Sequence, residues 1–224
     1  MKKENLKGEV NDTGNLLLAL HSCSTSLGIA ILDSRSPETS LSSKIFPLGR
    51  SLSNQIISCI EEVLPSSYWY QLGRISVAVG PGGFTGTRLT VAMARTLAQQ
   101  LNCDLDGISS FALMAPRLSK NLKPKDRYEP FWIVDNLSRK GIVGGRYQIK
   151  ESSQSNSFAE ALELEKPQLL GSKITAKPSI NASDDVAQDV VQLLNISLLA
   201  KQMGKKNYWD EVLPIYPTSP VKEC

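Results

Sequence analysis

The densest group of residues suited to ligand chemistry is a glycine-rich turn between two apolar segments. Its members are Gly80, Pro81, Gly82, Gly83 and Gly86. Backbone amides exposed at a helix N-terminus attract anions, so a turn of this kind could hold a phosphate. The spacing fits neither GxGxxG nor the GxxxxGK pattern of a P-loop, and no lysine follows. The turn alone leaves two interpretations open, ligand contact and simple turn geometry.

Side chains with catalytic potential are sparse elsewhere. His21 is the chain's one histidine, and no glycine-elbow serine accompanies it as a triad would need. We therefore expect a structural histidine whose nitrogens are satisfied. Asp135 ends a predicted strand and is the most interesting carboxylate, while Arg88 could pair with an anion, with a partner's carboxylate or with solvent alone. Taken by themselves, these residues support catalysis poorly.

The turn joins a predicted strand to a predicted helix. The strand is the uncharged segment Ile75–Val79, and Thr85 is a candidate N-cap for the helix. Two apolar stripes follow at helical spacing. The first contains Leu89, Met93, Leu97 and Leu101, and the second contains Val91, Ala94 and Ala98. Two stripes separated by polar residues predict a helix between its own sheet and a second surface, which could be another chain.

The flanking segments predict a mixed α/β protein. Strands are expected at Leu16–Leu20, Leu27–Asp33, Leu41–Phe46, Leu105–Ile108, Phe131–Asp135 and Gly141–Ile149. Helices are expected at Ser51–Leu64, Ser109–Leu118 and Asp184–Met203, the last with Ser183 as its cap. Segment 34–39 has loop chemistry, and 151–183 predicts irregular structure with short strands. The order of the first half is that of a ribonuclease-H-like unit.

Composition narrows the class of protein. The 224 residues carry a net charge of +3, too small to imply wholesale attraction to nucleic acid. The four cysteines are widely spaced, which favours reduced thiols over a zinc or redox site. No segment is long and apolar enough to span a bilayer, and residues 1–15 lack the apolar run of a signal peptide. We therefore expect a cytoplasmic protein with a flexible N-terminal extension.

The segment GPGGFTGTRLTVAMARTLA, together with the LLLALHSCSTSLGIAIL hairpin, resembles the TsaB (YeaZ) family. Positions that match the family pattern GPGSFTGLRIG letter for letter are Gly80, Pro81, Gly82, Phe84, Thr85, Gly86 and Arg88. Gly83 replaces the family's serine, and Thr87 replaces a hydrophobic residue. His21 stands where family members usually carry the aspartate of an IDTS sequence.

The resemblance implies a fold of two ribonuclease-H-like, actin-like ATPase lobes with mixed sheets flanked by helices. The first lobe would span 16–108, and the second, smaller and degenerate, would span 109–224, with helix 184–203 returning to the first. It implies a non-catalytic scaffold and activator that pairs with the TsaD-type transferase in forming N6-threonylcarbamoyladenosine next to the anticodon of tRNA. The TsaE-type ATPase would be a further partner. ATP and metal are expected on those partner subunits, and tRNA contact only through them.

The resemblance also directs attention to one helical face. We expect partner contacts, or homodimer contacts when the partner is absent, from Phe84, Thr85, Arg88, Leu89, Met93 and Leu97, with Phe84 plugging the turn against the core. An imidazole at position 21 is a poor ligand for Mg²⁺, which argues against ATP chemistry by this chain alone. The alternatives are a stand-alone actin-like ATPase or kinase, a glycoprotease-like enzyme, or a separate tRNA-binding module.

Overall fold

Two mixed β-sheets with helices packed against them form the fold. The computed structural model describes residues 14–137, 141–150, 159–171 and 176–217. The strands are β1 Leu16–His21, β2 Leu27–Asp33, β3 Ser42–Phe46, β4 Leu72–Ala78, β5 Asp104–Ile108, β6 Phe131–Leu137, β7 Gly141–Ile149, β8 Ala161–Leu169 and β9 Ser179–Asn181. The helices are α1 Pro37–Ser40, α2 Leu52–Val63, α3 Phe84–Leu101, α4 Ser110–Leu118 and α5 Val186–Gln202.

The first sheet has the order β3-β2-β1-β4-β5. Strands β1, β4 and β5 run parallel, and β2 and β3 are antiparallel to their neighbours. The central β1 is apolar throughout because both of its faces are covered. Leu18 and Leu20 belong to the core shared with α2 and α3. Leu17 and Ala19 point the other way, into the core formed with α5.

Helix α5 lies against the first sheet, although it follows the second sheet in sequence. Val190, Leu193 and Leu194 pack on β1 and β2. Its N-cap is Asp185, whose side chain accepts a hydrogen bond from the Gln188 amide. The expectation that Ser183 caps this helix is therefore wrong. Asp is as strong an N-cap as Ser and lies immediately before the first helical residue.

The second sheet has the order β8-β7-β6-β9 and packs against α4. Phe111 and Met114 of α4 meet Phe131 and Tyr147 of the sheet. Ser109 caps α4 by accepting from the Ala112 amide, and its hydroxyl lies 3.0 Å from the Tyr147 hydroxyl. The start of α4 is thereby held directly on the second sheet.

Two ion pairs lie where α5 packs, one between β4 and β5 of the first sheet and one between α4 and α5. Arg74 is 1% exposed; its Nε donates to Asp106 at 2.7 Å, and its Nη2 donates to the other oxygen of the same carboxylate at 2.8 Å. Asp106 also accepts from Ser197 of α5. Arg117 of α4 makes a two-point contact with Asp189 of α5, at 2.8 and 2.9 Å. Because each buried charge has its partner, α5 is fixed to both α4 and β5.

Several local predictions need correction. The N-cap of α3 is Gly83, so Thr85 lies inside the first turn. The segment predicted as loop contains the short helix α1. Region 151–183 contains the nine-residue strand β8, longer than expected. Residues 1–13 of the predicted N-terminal extension lie outside the described residues, as do residues 138–140 and 218–224. No described helix combines the length and apolar character needed to cross a membrane.

Candidate functional site

The glycine-rich turn is shaped by a close approach to the loop between β1 and β2. A Cβ on Gly82 would lie 2.2 Å from the Cys23 carbonyl oxygen, so no other residue fits. Gly83 donates its amide to the same carbonyl at 2.9 Å. Gly80 has a φ of +102°, a conformation that favours glycine. Turn geometry, the simpler of the two interpretations, thus accounts for Gly80 and Gly82.

Hydrogen bonds fix the turn to three other segments. Ser110 of α4 donates its hydroxyl to the Pro81 carbonyl at 2.6 Å. Ser22 donates to the Gly86 carbonyl at 3.1 Å. From the C-terminal segment 212–217, the Ile215 amide donates to the carbonyl of Val79 at 2.7 Å. The turn is therefore a junction of both sheets and the end of the described chain.

Phe84 and Arg88 meet this C-terminal segment. The Arg88 guanidinium lies 3.7 Å from the Phe84 ring centroid and 4.6 Å from that of Tyr216, and its Nε donates to the Tyr216 hydroxyl at 2.6 Å. Phe84 is 45% exposed, so the expectation that it plugs the turn against the core is wrong. Its ring packs on Tyr216 instead, with centroids 5.8 Å apart. Sequence reasoning had no signal for this pairing, because 128 residues separate Arg88 from Tyr216.

The predicted partner-binding residues of α3 differ in how far their side chains are buried. Thr85 is exposed, and Leu89 and Met93 are half-buried with part of their surface on the core. Leu97 is 8% exposed and belongs to the core of its own chain, so it offers no surface to a partner. Ala92 is exposed between Leu89 and Met93, and sequence reasoning did not single it out. The small side chain of Ala92 is the only sequence feature that could have indicated this position.

A cavity of about 690 Å³ lies beside the turn. Its walls come from the turn and α3, from α4, from β6 and β7, and from the segments that flank α5. They include Cys23, Gly82, Gly83, Phe84, Thr87, Phe111, Met114, Asp135, Leu137, Val143, Asp184 and Tyr216. The structure thus brings Asp135, predicted as a candidate, to the same space as the motif turn.

Polar groups at this cavity are few. Burial raises the pKa of the Cys23 thiol to about 12, so the sulfur is neutral at physiological pH. Burial also raises the pKa of Asp184, and the nearby His21 works in the opposite direction. The Thr87 hydroxyl is buried against the Cys23 thiol, and it opposes the rise in the pKa of that thiol. The described residues contain no group of three His, Cys, Asp or Glu arranged to hold a metal.

His21 differs most from its sequence-based expectation. Its side chain is fully buried at the end of β1, and neither ring nitrogen makes a hydrogen bond within the described residues. Burial lowers the pKa of the imidazole to about 4, with Asp184 partly offsetting the fall. The expectation of a satisfied structural histidine is therefore wrong. His21 does not line the cavity, so it presents no ligand atom there.

The fold is similar to that of YeaZ. YeaZ from Pseudomonas aeruginosa superposes with a TM-score of 0.67 at 18% identity, over 90% of this chain and 100% of that protein. The family model described as "TsaD: tRNA N6-adenosine threonylcarbamoyltransferase" matches residues 47–193. This range exceeds half of the chain, so the chain belongs to that family.

Two curated relatives carry the name "tRNA threonylcarbamoyladenosine biosynthesis protein TsaB". The protein from Bacillus subtilis is 31% identical over 101 residues, 44% of this chain and 43% of that protein. The protein from Buchnera aphidicola is 27% identical over 102 residues, 41% and 46% respectively. The chain thus spans less than half the length of these relatives. The resemblance to the TsaB (YeaZ) family is confirmed, as is a mixed α/β fold with helix-flanked sheets.

Proposed function

We propose that this chain is the non-catalytic scaffold and activator subunit that pairs with a TsaD-type transferase in forming N6-threonylcarbamoyladenosine next to the anticodon of tRNA. The observation that carries the proposal is the similarity to two proteins named for threonylcarbamoyladenosine biosynthesis. The family match at residues 47–193 adds to it, because that family is named for the transferase. The role is cytoplasmic, with a TsaE-type ATPase as a further partner.

The absence of catalysis by this chain is part of the proposal. Where the family resemblance would place an aspartate, at the end of β1, this chain has His21, whose buried ring nitrogens make no hydrogen bond to the part of the chain that the structure describes. The Cys23 thiol is neutral, so it is a weak nucleophile. ATP and metal ions are accordingly assigned to the partner subunits, and tRNA contact to the assembled complex.

We further propose that the chain has two lobes, 16–108 and 109–224, of which the second is a degenerate copy of the first. Support comes from the two separate sheets and from the separate core around Phe131 and Tyr147. Among the described residues, the second sheet has four strands and is covered by α4 alone, whereas the first has five strands and helices on both faces. Helix α5 then belongs in packing terms to the first lobe.

The outer face of α3 is the proposed docking surface. It carries Thr85, Leu89, Ala92, Met93 and Thr96. None of these side chains is fully buried, and the exposed Ala92 would let a partner helix approach closely. The neighbouring α2 adds Ile57, which is 38% exposed. Burial of such apolar area favours association by about 25 cal/mol per Å² before the costs of binding. The same face is proposed for homodimers.

Co-purification with the TsaD-type protein of the same genome tests this surface. Ala92→Arg and Met93→Arg place a charge on the outer face, and Gln202→Arg adds the same charge at an exposed position of α5. We expect the two α3 variants to weaken the complex by about 100-fold, or ~2.7 kcal/mol, and the α5 control to leave it unchanged. Circular dichroism melts establish that all three are folded. A folded Ala92→Arg variant that binds as tightly as the unmodified chain would exclude this face.

The alternatives predict different activities for the purified chain. A stand-alone ATPase or kinase would turn over ATP without partners, and a tRNA-binding module would bind tRNA tightly with a steep salt dependence. We expect neither. If no complex with the transferase forms and ATP is hydrolysed, the scaffold assignment is refuted.

A further inference from the structure

Positive charge borders the outer face of α3. Arg88 and Arg95 lie on the same side of the helix, two turns or roughly 10 Å apart. Ala92, the exposed residue of the proposed docking surface, lies between them on that side. The sequence of α3 contains no Asp or Glu, so neither arginine has an acidic neighbour one turn away on its own helix. The two positive charges are therefore uncompensated within α3.

Aromatic rings hold both arginines in place. The guanidinium of Arg88 lies 3.7 Å from the ring centroid of Phe84 and 4.6 Å from that of Tyr216. The guanidinium of Arg95 lies 5.7 Å from the ring centroid of Trp209. Because stacking on a ring already restricts these long side chains, less conformational entropy is lost when they bind a partner. Both cations are thus oriented before a partner arrives.

Most hydrogen-bond donors of these two side chains are unused. Arg88 donates from Nε to the Tyr216 hydroxyl at 2.6 Å, and its two terminal nitrogens make no hydrogen bond among the described residues. Arg95 makes neither a hydrogen bond nor a salt bridge within the same ranges, although Asp210 follows Trp209 in sequence. A planar guanidinium can donate two parallel hydrogen bonds to one carboxylate. The free donors therefore fit acidic side chains.

We propose that this edge of α3 binds an acidic helix of the TsaD-type transferase. Two carboxylates of that helix, also about two turns apart, pair with Arg88 and Arg95, and its backbone approaches closely at Ala92. This assignment rests on the proposed function and adds the chemistry of the partner's surface. A second copy of this chain fits the charge less well, because aligning α3 with α3 would bring two further arginines to the same edge.

Surface plasmon resonance with the TsaD-type protein of the same genome tests the charge pairing. At about 0.1 M NaCl, we expect Arg88→Glu and Arg95→Glu each to weaken binding by about tenfold, mainly through slower association, because charges at the border of an interface act on the encounter. Arg95→Lys keeps the charge and should stay within about threefold of the unmodified chain. The control Lys125→Glu makes the same change in net charge at an exposed position between α4 and β6 and should have no effect.

Salt separates lost charge from lost packing. At about 1 M NaCl the screening length falls from about 10 Å to about 3 Å, so both Glu variants should then bind nearly as well as the unmodified chain. Thermal melts establish that each variant is folded. A complex equally tight with the folded Arg88→Glu and Arg95→Glu variants would overturn the pairing and leave the proposed function standing. A loss that persists in high salt would overturn it as well.

Two further measurements identify other occupants. Sedimentation of the chain alone measures self-association, and filter binding measures its affinity for tRNA. If the Glu variants weakened self-association and left the transferase complex intact, a second copy would be the occupant; if they weakened tRNA binding instead, it would be nucleic acid. Either result refutes the acidic helix. If the unmodified chain forms no complex with the transferase, the pairing is refuted together with the proposed function.

Discussion

His21 is the chain's one histidine, and its imidazole is fully buried with both nitrogens unpaired among the described residues. Burial lowers its pKa from the ordinary 6.5 to about 4, even though Asp184 favours the charged form. The folded state therefore binds a proton less readily than the unfolded chain. Stability is unaffected above pH 6.5 and is lost as the pH falls from 6.5 toward 4.

The size of this loss follows from the two pKa values. With 6.5 in the unfolded chain and about 4 in the folded protein, protonation lowers the free energy of unfolding by about 2 kcal/mol at pH 5 and about 3 kcal/mol at pH 4. His21→Leu removes the titrating group and the unpaired nitrogens together. Because apolar replacement of an unsatisfied polar group is often neutral or favourable, we expect the variant to be at least as stable at pH 7.5.

Urea unfolding of both proteins from pH 7.5 to pH 4 measures the effect. Carboxylates also respond to acid, so the informative quantity is the difference between His21→Leu and the unmodified chain, which should grow by about 3 kcal/mol across this range. NMR provides an independent check, since a single histidine gives a single C2 proton signal. A difference that stays constant with pH, or a resonance that titrates near 6.5, would refute the burial argument.

Three further predictions concern the packing around the site. Gly82→Ala should destabilise the protein by about 2 kcal/mol or more in urea unfolding, because its Cβ would meet the Cys23 carbonyl. The control Gly171→Ala should change stability by less than about 0.5 kcal/mol, because the added Cβ meets open space. Arg74→Met should cost about 3–5 kcal/mol in the same assay, because it leaves the buried Asp106 without its cation. Arg88→Ala should speed hydrogen exchange of the C-terminal segment, because it removes the contact to Tyr216; an unchanged exchange rate would mean that other bonds hold this segment.

The parts of the fold predicted correctly are those whose signals are local. The apolar run of β4 and the glycines after it determine a strand and a sharp turn without outside help, and the repeat of α3 fixes its length. The length of β8 was underestimated because it is an edge strand whose charged and apolar residues are mostly exposed. Such a strand depends on pairing with β7, and its sequence resembles a solvated loop.

The candidate site was harder to predict because its members come from distant segments. The motif turn was found by its letters, but the carboxylates of Asp135 and Asp184 and the ring of Tyr216 reach it only through the folded chain. The surroundings of His21 were likewise not predictable from its local sequence. A lone histidine at a strand end is commonly satisfied by a neighbour, and only the folded structure reveals that here neither nitrogen has one among the described residues.

Helix α3 meets three environments around its circumference, and this explains why periodicity alone assigned its residues imperfectly. Val91 and Ala94 face the core, Thr87 faces the cavity, and Ala92 faces outward. A 3.6-residue repeat separates apolar from polar positions, but Thr and Ala are compatible with all three environments. These different environments can be tested with two substitutions. Ala92→Arg should weaken partner binding, whereas Thr87→Val, on the cavity side of the helix, should leave it unchanged; a Thr87→Val variant that weakened partner binding would show that the two faces are coupled through the helix.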